Sequence, residues 1–435
     1  MKNILVPIGI LLCLFAMLAL ACGDDDDDND SSVDDDDNDS GDDDTGDDDT
    51  GGDDDDGVWF DDYVVFAAND LGMHCMNQDF SEALLLPPYN TLHAQVIDRR
   101  DEHPRIVNAD KTLTYAIPGN THSADKTNFW EYVDDLLGVT LADDIGLTGN
   151  GLAGGFVASG AGGWIADGIP LTPLDDAGVE NPYQLATVTV YDGNNPVAQT
   201  RAVVPVSWEI NCDLCHNTAG ISPATDILRK HDALHATDLE NAKPVFCGGC
   251  HYQAPLAPFS VDNGEQDPLS LAMHSAHASR MGAAGLDNPC YACHPGVETQ
   301  CQRDVHFSEG LTCVDCHISM EAVGYPLREP WVDEPRCDNC HTRSGFEFEQ
   351  PGTLYRNSKG HRGVFCASCH GSPHAIGPSV VDADNAQAIG LQGHAGVIDT
   401  CTVCHREEED DEFPHRLDED DDDDDDDDED DDDDK

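Results

Sequence analysis

Cys212-Asp213-Leu214-Cys215-His216 is the first of seven Cys-x-x-Cys-His motifs in a chain of 435 residues. Each motif places two thiols three positions apart, with a histidine directly after the second thiol. The motifs fall between residues 212 and 405, so about 28 residues accompany each one. That is too few for an ordinary apolar core between neighbouring motifs. In chain order, motifs one to seven are Cys212, Cys215 and His216; Cys247, Cys250 and His251; Cys290, Cys293 and His294; Cys313, Cys316 and His317; Cys337, Cys340 and His341; Cys366, Cys369 and His370; and Cys401, Cys404 and His405.

The motif is the attachment signature of haem c. Two thiols at this spacing reach the two vinyl groups of one porphyrin, and the adjacent histidine ligates the iron. The sequence therefore predicts seven covalent haem c groups, with the seven motif histidines as proximal iron ligands. Zinc knuckles are the alternative, but zinc takes four Cys or His ligands, and an odd number of motifs pairs poorly. A disulfide framework gives no reason for the histidine.

Sixth iron ligands are available from other histidines in the same region. Two pairs are spaced i, i+4 and i, i+3 in predicted helices at 226–239 and 269–281, so each pair shares a helix face. Three more lie five to seven residues before a motif, and one follows motif six by four residues. The eight candidate distal ligands are His231, His235, His274, His277, His306, His361, His374 and His394. His415, in the acidic tail, fits an ordinary surface residue better. Met73, Met273, Met281 and Met320 are further candidates that would raise a haem's potential.

Residues 58–208 carry no haem motif and are rich in strand signals. Alternation and β-branched residues predict strands at 63–67, 91–97 and 111–116, and a hairpin of 185–191 with 197–206. The hairpin turns at Asp192-Gly193-Asn194-Asn195. A short helix is expected over 129–137 and a long glycine-rich loop over 145–170. Strands at this spacing predict a mainly-β, sandwich-like antiparallel domain.

Residues 58–216 resemble a group of uncharacterised bacterial multihaem proteins in four stretches: Asn69-Asp70-Leu71-Gly72-Met73-His74-Cys75, Leu86-Pro87-Pro88-Tyr89-Asn90, Leu92-His93-Ala94-Gln95-Val96-Ile97 and Lys126-Thr127-Asn128-Phe129-Trp130. The resemblance implies a recurrent pairing of this domain with haem motifs and no particular activity. Residues 209–406 are similar in general character to bacterial multihaem c-type cytochromes. That likeness implies a haem-packed domain of short helices and little regular secondary structure.

The two ends of the chain are distinct from this body. Residues 1–22 read as an export signal, with Lys2, an apolar run and a small-residue cleavage site. Cys22 then resembles the lipidated cysteine of a bacterial lipoprotein, although ordinary cleavage at the same bond is the alternative. Both interpretations predict an exported protein, periplasmic or on the outer membrane or cell surface. Residues 23–57 form an Asp-rich, disordered linker and residues 407–435 a disordered acidic tail. For the linker, nonspecific cation condensation fits better than a defined calcium site, because its Asp spacing is irregular.

Charge limits the choice of partners. The formal net charge is −67, and the chain has no basic patch to neutralise phosphate, so nucleic acid is not expected. Redox proteins as donor and acceptor, or a metal-oxide or other extracellular acceptor, fit this charge better. Assembly of this protein into a homo-oligomer or a filament is a further possibility. For the acidic tail, solubility alone is a sufficient explanation.

The sequence favours an electron carrier with mostly bis-His haems over an enzyme, because saturated iron offers no place for substrate. The alternative is a reductase of a small oxyanion or a nitrogen or sulfur compound at one open haem. A third hypothesis makes residues 58–208 a binding module. Cys75 and Cys301 could form a disulfide, residues 73–76 could bind a soft metal such as copper, and His74 could ligate a haem. These three interpretations stay open.

Overall fold

The computed structural model describes residues 57–407, except 109, 161 and 347, together with His415. The expected export signal and nearly all of the expected linker and acidic tail lie outside these residues. Within the described residues, no helix is both long and apolar enough to cross a membrane. Residues 58–208 are called the β segment below, and residues 209–406 the motif segment.

The β segment contains twelve strands and one helix among its described residues. The helix, α1, spans Phe129–Leu137, as the sequence predicts, and ends at Gly138 in the left-handed conformation. The strands are β1 (Trp59–Phe60), β2 (Tyr63–Asn69), β3 (His74–Cys75), β4 (Ala83–Leu84), β5 (Asn90–Asp98), β6 (Arg105–Ile106), β7 (Thr112–Ala116), β8 (Ala153–Gly155), β9 (Val157–Gly160), β10 (Gly163–Ile169), β11 (Tyr183–Asp192) and β12 (Asn195–Ser207).

Two sheets account for most of these strands. The first has the order β1-β12-β11-β7-β8, with β3 pairing in parallel with the end of β12. The second has the order β2-β5-β10-β9, with β6 beside β5. Neighbouring strands on both main paths run antiparallel. The predicted hairpin is confirmed as β11 and β12, which pair from Tyr183 opposite Pro205 to Asp192 opposite Asn195.

The prediction of a long loop over 145–170 is wrong. Strands β8, β9 and β10 occupy 153–169, and Trp164 of β10 is buried opposite Ala94. Glycine disfavours strands in general, but it is used where another group approaches the backbone closely. A Cβ at Gly154 would lie 3.1 Å from the hydroxyl of Tyr115, and one at Gly163 would lie 2.8 Å from the ring of Phe365. Gly154 therefore marks close packing within a sheet, and Gly163 marks close packing against the motif segment.

A single apolar core lies between the two sheets. It brings together side chains of the second sheet, such as Val65 and Leu92, with side chains of the first, such as Val188 and Val204. Helix α1 closes one side of this core through Phe129 and Val133. Strand β11 shows the alternating burial expected when one face of a sheet is covered. The β segment is thus mainly β, with two sheets packed on a shared core.

The second sheet is also covered on its other face. All seven residues of β2 are buried, so this strand shows no alternation. Val64, Phe66 and Ile97 point away from the shared core and pack against Leu391 and Val403 of the motif segment. The β segment and the motif segment therefore share an apolar interface.

The motif segment has short helices and little sheet. Its longest helix, α2, begins after Ser222, whose hydroxyl accepts a hydrogen bond from the backbone N–H of Thr225. The predicted helix at 269–281 ends earlier, at His277, and continues as a 3₁₀ turn over Ala278–Ala284. The elements are α2 (Pro223–His235), β13 (Val245–Phe246), α3 (Leu269–His277), α4 (Val305–Ser308), α5 (Cys313–His317), α6 (Met320–Val323), β14 (Lys359–Gly360), β15 (Val364–Phe365), α7 (Cys366–His370) and α8 (Asp382–Gln392).

Replacing Phe66 with Ala tests the shared interface. Phe66 is 1% exposed, so the substitution should lower the free energy of unfolding by about 3–5 kcal/mol through lost burial and a cavity. The measurement is urea denaturation followed by circular dichroism. Val157→Ala is the control, because Val157 is 65% exposed and its truncation should change stability by no more than about 0.5 kcal/mol. Equal effects of the two substitutions would contradict the interface.

Candidate functional site

Each motif forms one short helical turn. In motifs one, two, three, five and seven, the histidine N–H donates to the carbonyl of the first cysteine at 2.8 to 3.0 Å. Motifs four and six are the helices α5 and α7 themselves. One turn places residues i, i+3 and i+4 on the same side of the backbone. Both thiols and the imidazole of every motif therefore face one region.

A second histidine ring lies opposite the histidine of every motif. The ring centres in the seven pairs are 5.6 to 6.4 Å apart. In the tightest pair, the two Nε2 atoms of His370 and His415 face each other at 3.4 Å. The pairs, in motif order, are His216 with His277, His251 with His231, His294 with His274, His317 with His374, His341 with His306, His370 with His415, and His405 with His361.

Not every histidine proposed from the sequence is in such a pair. Six of the eight candidate distal histidines lie opposite a motif histidine, whereas His235 and His394 do not. His235 lies beside His231 on the same helix face, with the ring centres 4.7 Å apart and the rings tilted by 44°. His394 is half exposed, with Nε2 3.3 Å from a carboxylate oxygen of Asp399. His415, which the sequence favours as a surface residue, instead lies opposite His370 and beside the ring of Phe346.

Hydrogen bonds fix the orientation of several of these rings. Nδ1 of His274 lies 2.6 Å from the carbonyl oxygen of Ser270, and Nδ1 of His277 lies 2.7 Å from that of Met273. Nδ1 of His251 is 2.8 Å from the carbonyl oxygen of Asp267. A carbonyl oxygen only accepts, so Nδ1 carries the proton and Nε2 keeps its lone pair. Metal-bound histidines have this arrangement.

Loss of solvation favours the neutral form, which a metal ligand requires, at three of the motif histidines. Burial is the main cause that lowers the pKa of His294 to about 4, and the nearby histidines lower it further. The pKa values of His317 and His370 are also lowered to about 4, again mainly by burial. A neutral imidazole keeps a lone pair for a metal at neutral pH.

The motif segment has few buried apolar side chains of its own. Among the described residues, 35 buried apolar side chains lie before residue 209 and ten lie after it. Some large apolar side chains of the motif segment are instead exposed to solvent: Ile318 is 75% exposed and Leu327 is 81% exposed. A stretch of this length normally needs an apolar interior. Porphyrins would cover such side chains, so the residues present fit the cofactor that the motifs predict.

The chain connects the seven pairs to one another. Six of the seven partner histidines are nearest in sequence to a motif other than the one they face. Helix α3 supplies partners to two motifs, with His274 opposite motif three and His277 opposite motif one. Motifs three and four meet through Asn288, whose Nδ2 donates to the sulfur of Cys313 at 3.2 Å. The other links are His231 after motif one and opposite motif two, His306 before motif four and opposite motif five, His374 after motif six and opposite motif four, His361 before motif six and opposite motif seven, and His415 after motif seven and opposite motif six.

The other proposed sites in the β segment have different surroundings. His74 lies opposite no motif histidine: its Nε2 lies 2.8 Å from a carboxylate oxygen of Asp70. Met76 is fully buried in the core between the sheets, so residues 73–76 do not converge on one ion. Cys75 and Cys301 are both free thiols in this structure. Burial is the main cause that raises the pKa of both thiols, to about 11 for Cys301. Within the described residues, no group of three or more His, Cys, Asp or Glu side chains could hold a metal ion.

One carboxylate that no sequence pattern singles out joins two motifs. Glu209 lies three residues before Cys212 of motif one and is buried. Its two oxygens accept hydrogen bonds from the backbone N–H groups of residues 296, 297, 298 and 299, at 2.6 to 3.2 Å. Those residues lie two to five positions after His294 of motif three. Glu209 therefore fixes motif three relative to motif one.

Comparisons with known proteins add little to this description. No family model matches the sequence, and no curated protein matches it either. Among solved structures there is a weak likeness to the crystal structure of MtrC from Shewanella baltica OS185, with 14% sequence identity and a TM-score of 0.15. The match covers 54% of this chain and 36% of that chain, so this chain spans about a third of its length. Two structures with so low a TM-score need not share a topology.

Replacing Glu209 with Gln should destabilise the protein in a pH-dependent way. Burial raises the pKa of Glu209, but the four backbone N–H groups outweigh it, and the net pKa lies below the usual value. The carboxylate thus stabilises the fold above about pH 4.5, and this contribution is lost as the pH falls through the lowered pKa. At pH 7 the substitution should cost about 1.5–3 kcal/mol, measured by urea denaturation.

The same comparison at pH 3.5 supplies the second part of this test. The difference between wild type and Glu209→Gln should shrink there. Glu298→Gln, on the same loop but exposed, is the matched control and should leave stability unchanged at both values. A cost that is independent of pH would contradict the assignment.

Proposed function

We propose that this protein is a multihaem c-type cytochrome that carries electrons and binds seven haem c groups covalently. The thiols of each motif would hold one porphyrin, and the two histidines of each pair would hold its iron. The single observation that carries the proposal is the set of seven histidine pairs, each with one motif histidine. When bound, haem c supplies an iron that gains and loses one electron.

The spacing of the pairs supports iron ligation from both sides. Metal–imidazole bonds are about 2 Å long, and the ring centre lies roughly 1 Å beyond the nitrogen, so two axial rings have centres about 6 Å apart. The seven pairs span 5.6 to 6.4 Å. Two histidines with Nδ1 held by backbone carbonyls, such as His274 and His277, already present Nε2 for ligation.

This arrangement favours a carrier over an enzyme. An iron with two histidine ligands has no open position for substrate. A reductase needs one motif histidine with an open opposite side, and each of the seven has another imidazole there. The linking segments also place the pairs in one connected set, an arrangement suited to passing electrons between them.

The proposed location rests on the sequences of the two terminal regions, and the proposed partners rest on the negative charge. We propose that the protein is exported and anchored by lipid at Cys22, with the Asp-rich linker as a tether. At roughly 3.3 Å per residue, the 33 residues of 24–56 could extend to about 110 Å. The acidic surface would favour basic redox proteins as donor and acceptor, or a metal-oxide surface.

The first test is electron paramagnetic resonance of the oxidised full-length protein, combined with a count of covalent haem per chain. Seven haems per chain, all low-spin, are the expected result. A high-spin signal from about one haem in seven would favour the reductase over the electron carrier as the function. A count well below seven would overturn the proposal itself.

Single substitutions test the assignment of the pairs. His361 and His394 have similar sequence positions, five and seven residues before a motif, but only His361 lies opposite a motif histidine. His361→Ala should convert about one haem in seven to the high-spin form, because His405 loses its partner. His394→Ala is the matched control and should leave the spectrum unchanged. A high-spin signal from His394→Ala, or none from His361→Ala, would contradict the pairing.

A further inference from the structure

The stretch Asn69-Asp70-Leu71-Gly72 is not explained by the proposed function so far. It forms the turn between β2 and β3, in the β segment. The sequence singles it out without assigning it an activity. Its contacts lead instead to residues 372–374, directly after motif six.

Asn69 makes the turn rigid. Its Oδ1 accepts hydrogen bonds from the backbone N–H groups of Leu71 at 3.1 Å and Gly72 at 2.7 Å. Its Nδ2 donates to Oδ1 of Asn90 at 2.7 Å and to the carbonyl of Thr91 at 2.9 Å. Asn69 and Asn90 are both buried. The turn is therefore fixed to the start of strand β5.

Gly72 lies directly against the backbone before His374. A Cβ at this position would be 1.6 Å from the carbonyl oxygen of Pro373 and 3.4 Å from Cβ of His374. The φ angle of Gly72 is +78°, which also favours glycine. Any larger residue at position 72 must push the turn and residues 373–374 apart.

Arg303 joins the same two parts from the other side. Its Nη1 donates to the carbonyl of Gly72 at 2.8 Å, and its backbone N–H donates to the carbonyl of His374 at 2.9 Å. Its guanidinium is fully buried and is held by two hydrogen bonds to Asp384 at 2.6 and 2.9 Å. The backbone N–H of Asn69 also donates to the hydroxyl of Ser372 at 3.0 Å.

His374 itself requires such support. Its φ angle is +60°, a conformation that residues other than glycine seldom adopt. Its ring lies opposite that of His317, with the ring centres 6.3 Å apart. Its Nδ1 is buried without a hydrogen bond of standard geometry. Contacts to the backbone must therefore hold the ring in place.

We propose that the turn Asn69–Gly72 is a positioning element that holds His374 as the sixth ligand of the iron at motif four. This rests on the proposed function, because it assumes haem at that motif. The β segment then has a defined role, since one of its turns determines the ligation of a haem carried by the other segment.

The test compares Gly72→Ala with Gly178→Ala in full-length, haem-loaded protein. Gly178 has φ +73°, close to that of Gly72, but an added Cβ there meets nothing within 4 Å. Gly72→Ala should convert about one haem in seven to the high-spin ferric form, with seven covalent haems retained. Its signal should match that of His374→Ala. Gly178→Ala should give the wild-type spectrum.

The outcomes distinguish a role in positioning His374 from a general loss of folding. A wild-type spectrum from Gly72→Ala, or high-spin signals spread over several haems, would overturn the positioning role. If Gly72→Ala does not accumulate, Asn69→Ala is the second variant, because it loosens the same turn without a steric clash. It should give a smaller high-spin signal. An unchanged spectrum of Asn69→Ala would also overturn the positioning role. A wild-type protein without low-spin signals would overturn the proposed function, and the positioning role with it.

Discussion

The shortage of apolar side chains beyond residue 209 constrains the rest of the structure. A segment with ten buried apolar side chains among its described residues cannot form a conventional core, so it depends on other surfaces. One is the outer face of the second sheet, where Phe66 and Ile97 meet Leu391 and Val403. The other would be the cofactors themselves, held between histidine pairs. The β segment is therefore part of the support of the motif segment.

Polar contacts between the β segment and the motif segment also position two of the motifs. Gln95, fully buried in β5, donates to the carbonyl of Gly363 and accepts from the backbone N–H of Phe365, which precedes motif six. Arg99 donates to the carbonyls of Thr402 and His405 in motif seven. Both sets of bonds act on the backbone at a motif, so they orient it without depending on its side chains. Strand β5 and the residue after it thus help to place two motifs.

The sequence predicted much of the fold because its signals were local. The alternation of residues 185–191 reflects a sheet with one covered face, and the hairpin was found from it. Strands β8 to β10 were missed because their glycines serve close packing, which depends on distant residues such as Phe365. The sequence identifies the seven motifs directly, but it does not show which histidine faces each motif. His231 and His235 share a helix face, and only the tertiary structure shows which of them faces His251.

The position of His415 has a practical consequence for handling this protein. Half of the 88 acidic residues lie in the two terminal tracts, so trimming these tracts would remove much of the negative charge. His415 lies between the two acidic runs of the tail, and its ring faces His370 at the tightest spacing of the seven pairs. A chain shortened at residue 407 would lose bulk charge together with an imidazole that belongs to a histidine pair. Under the proposed function, such a chain would lack the second histidine opposite motif six, and its visible spectrum would differ from that of the full chain.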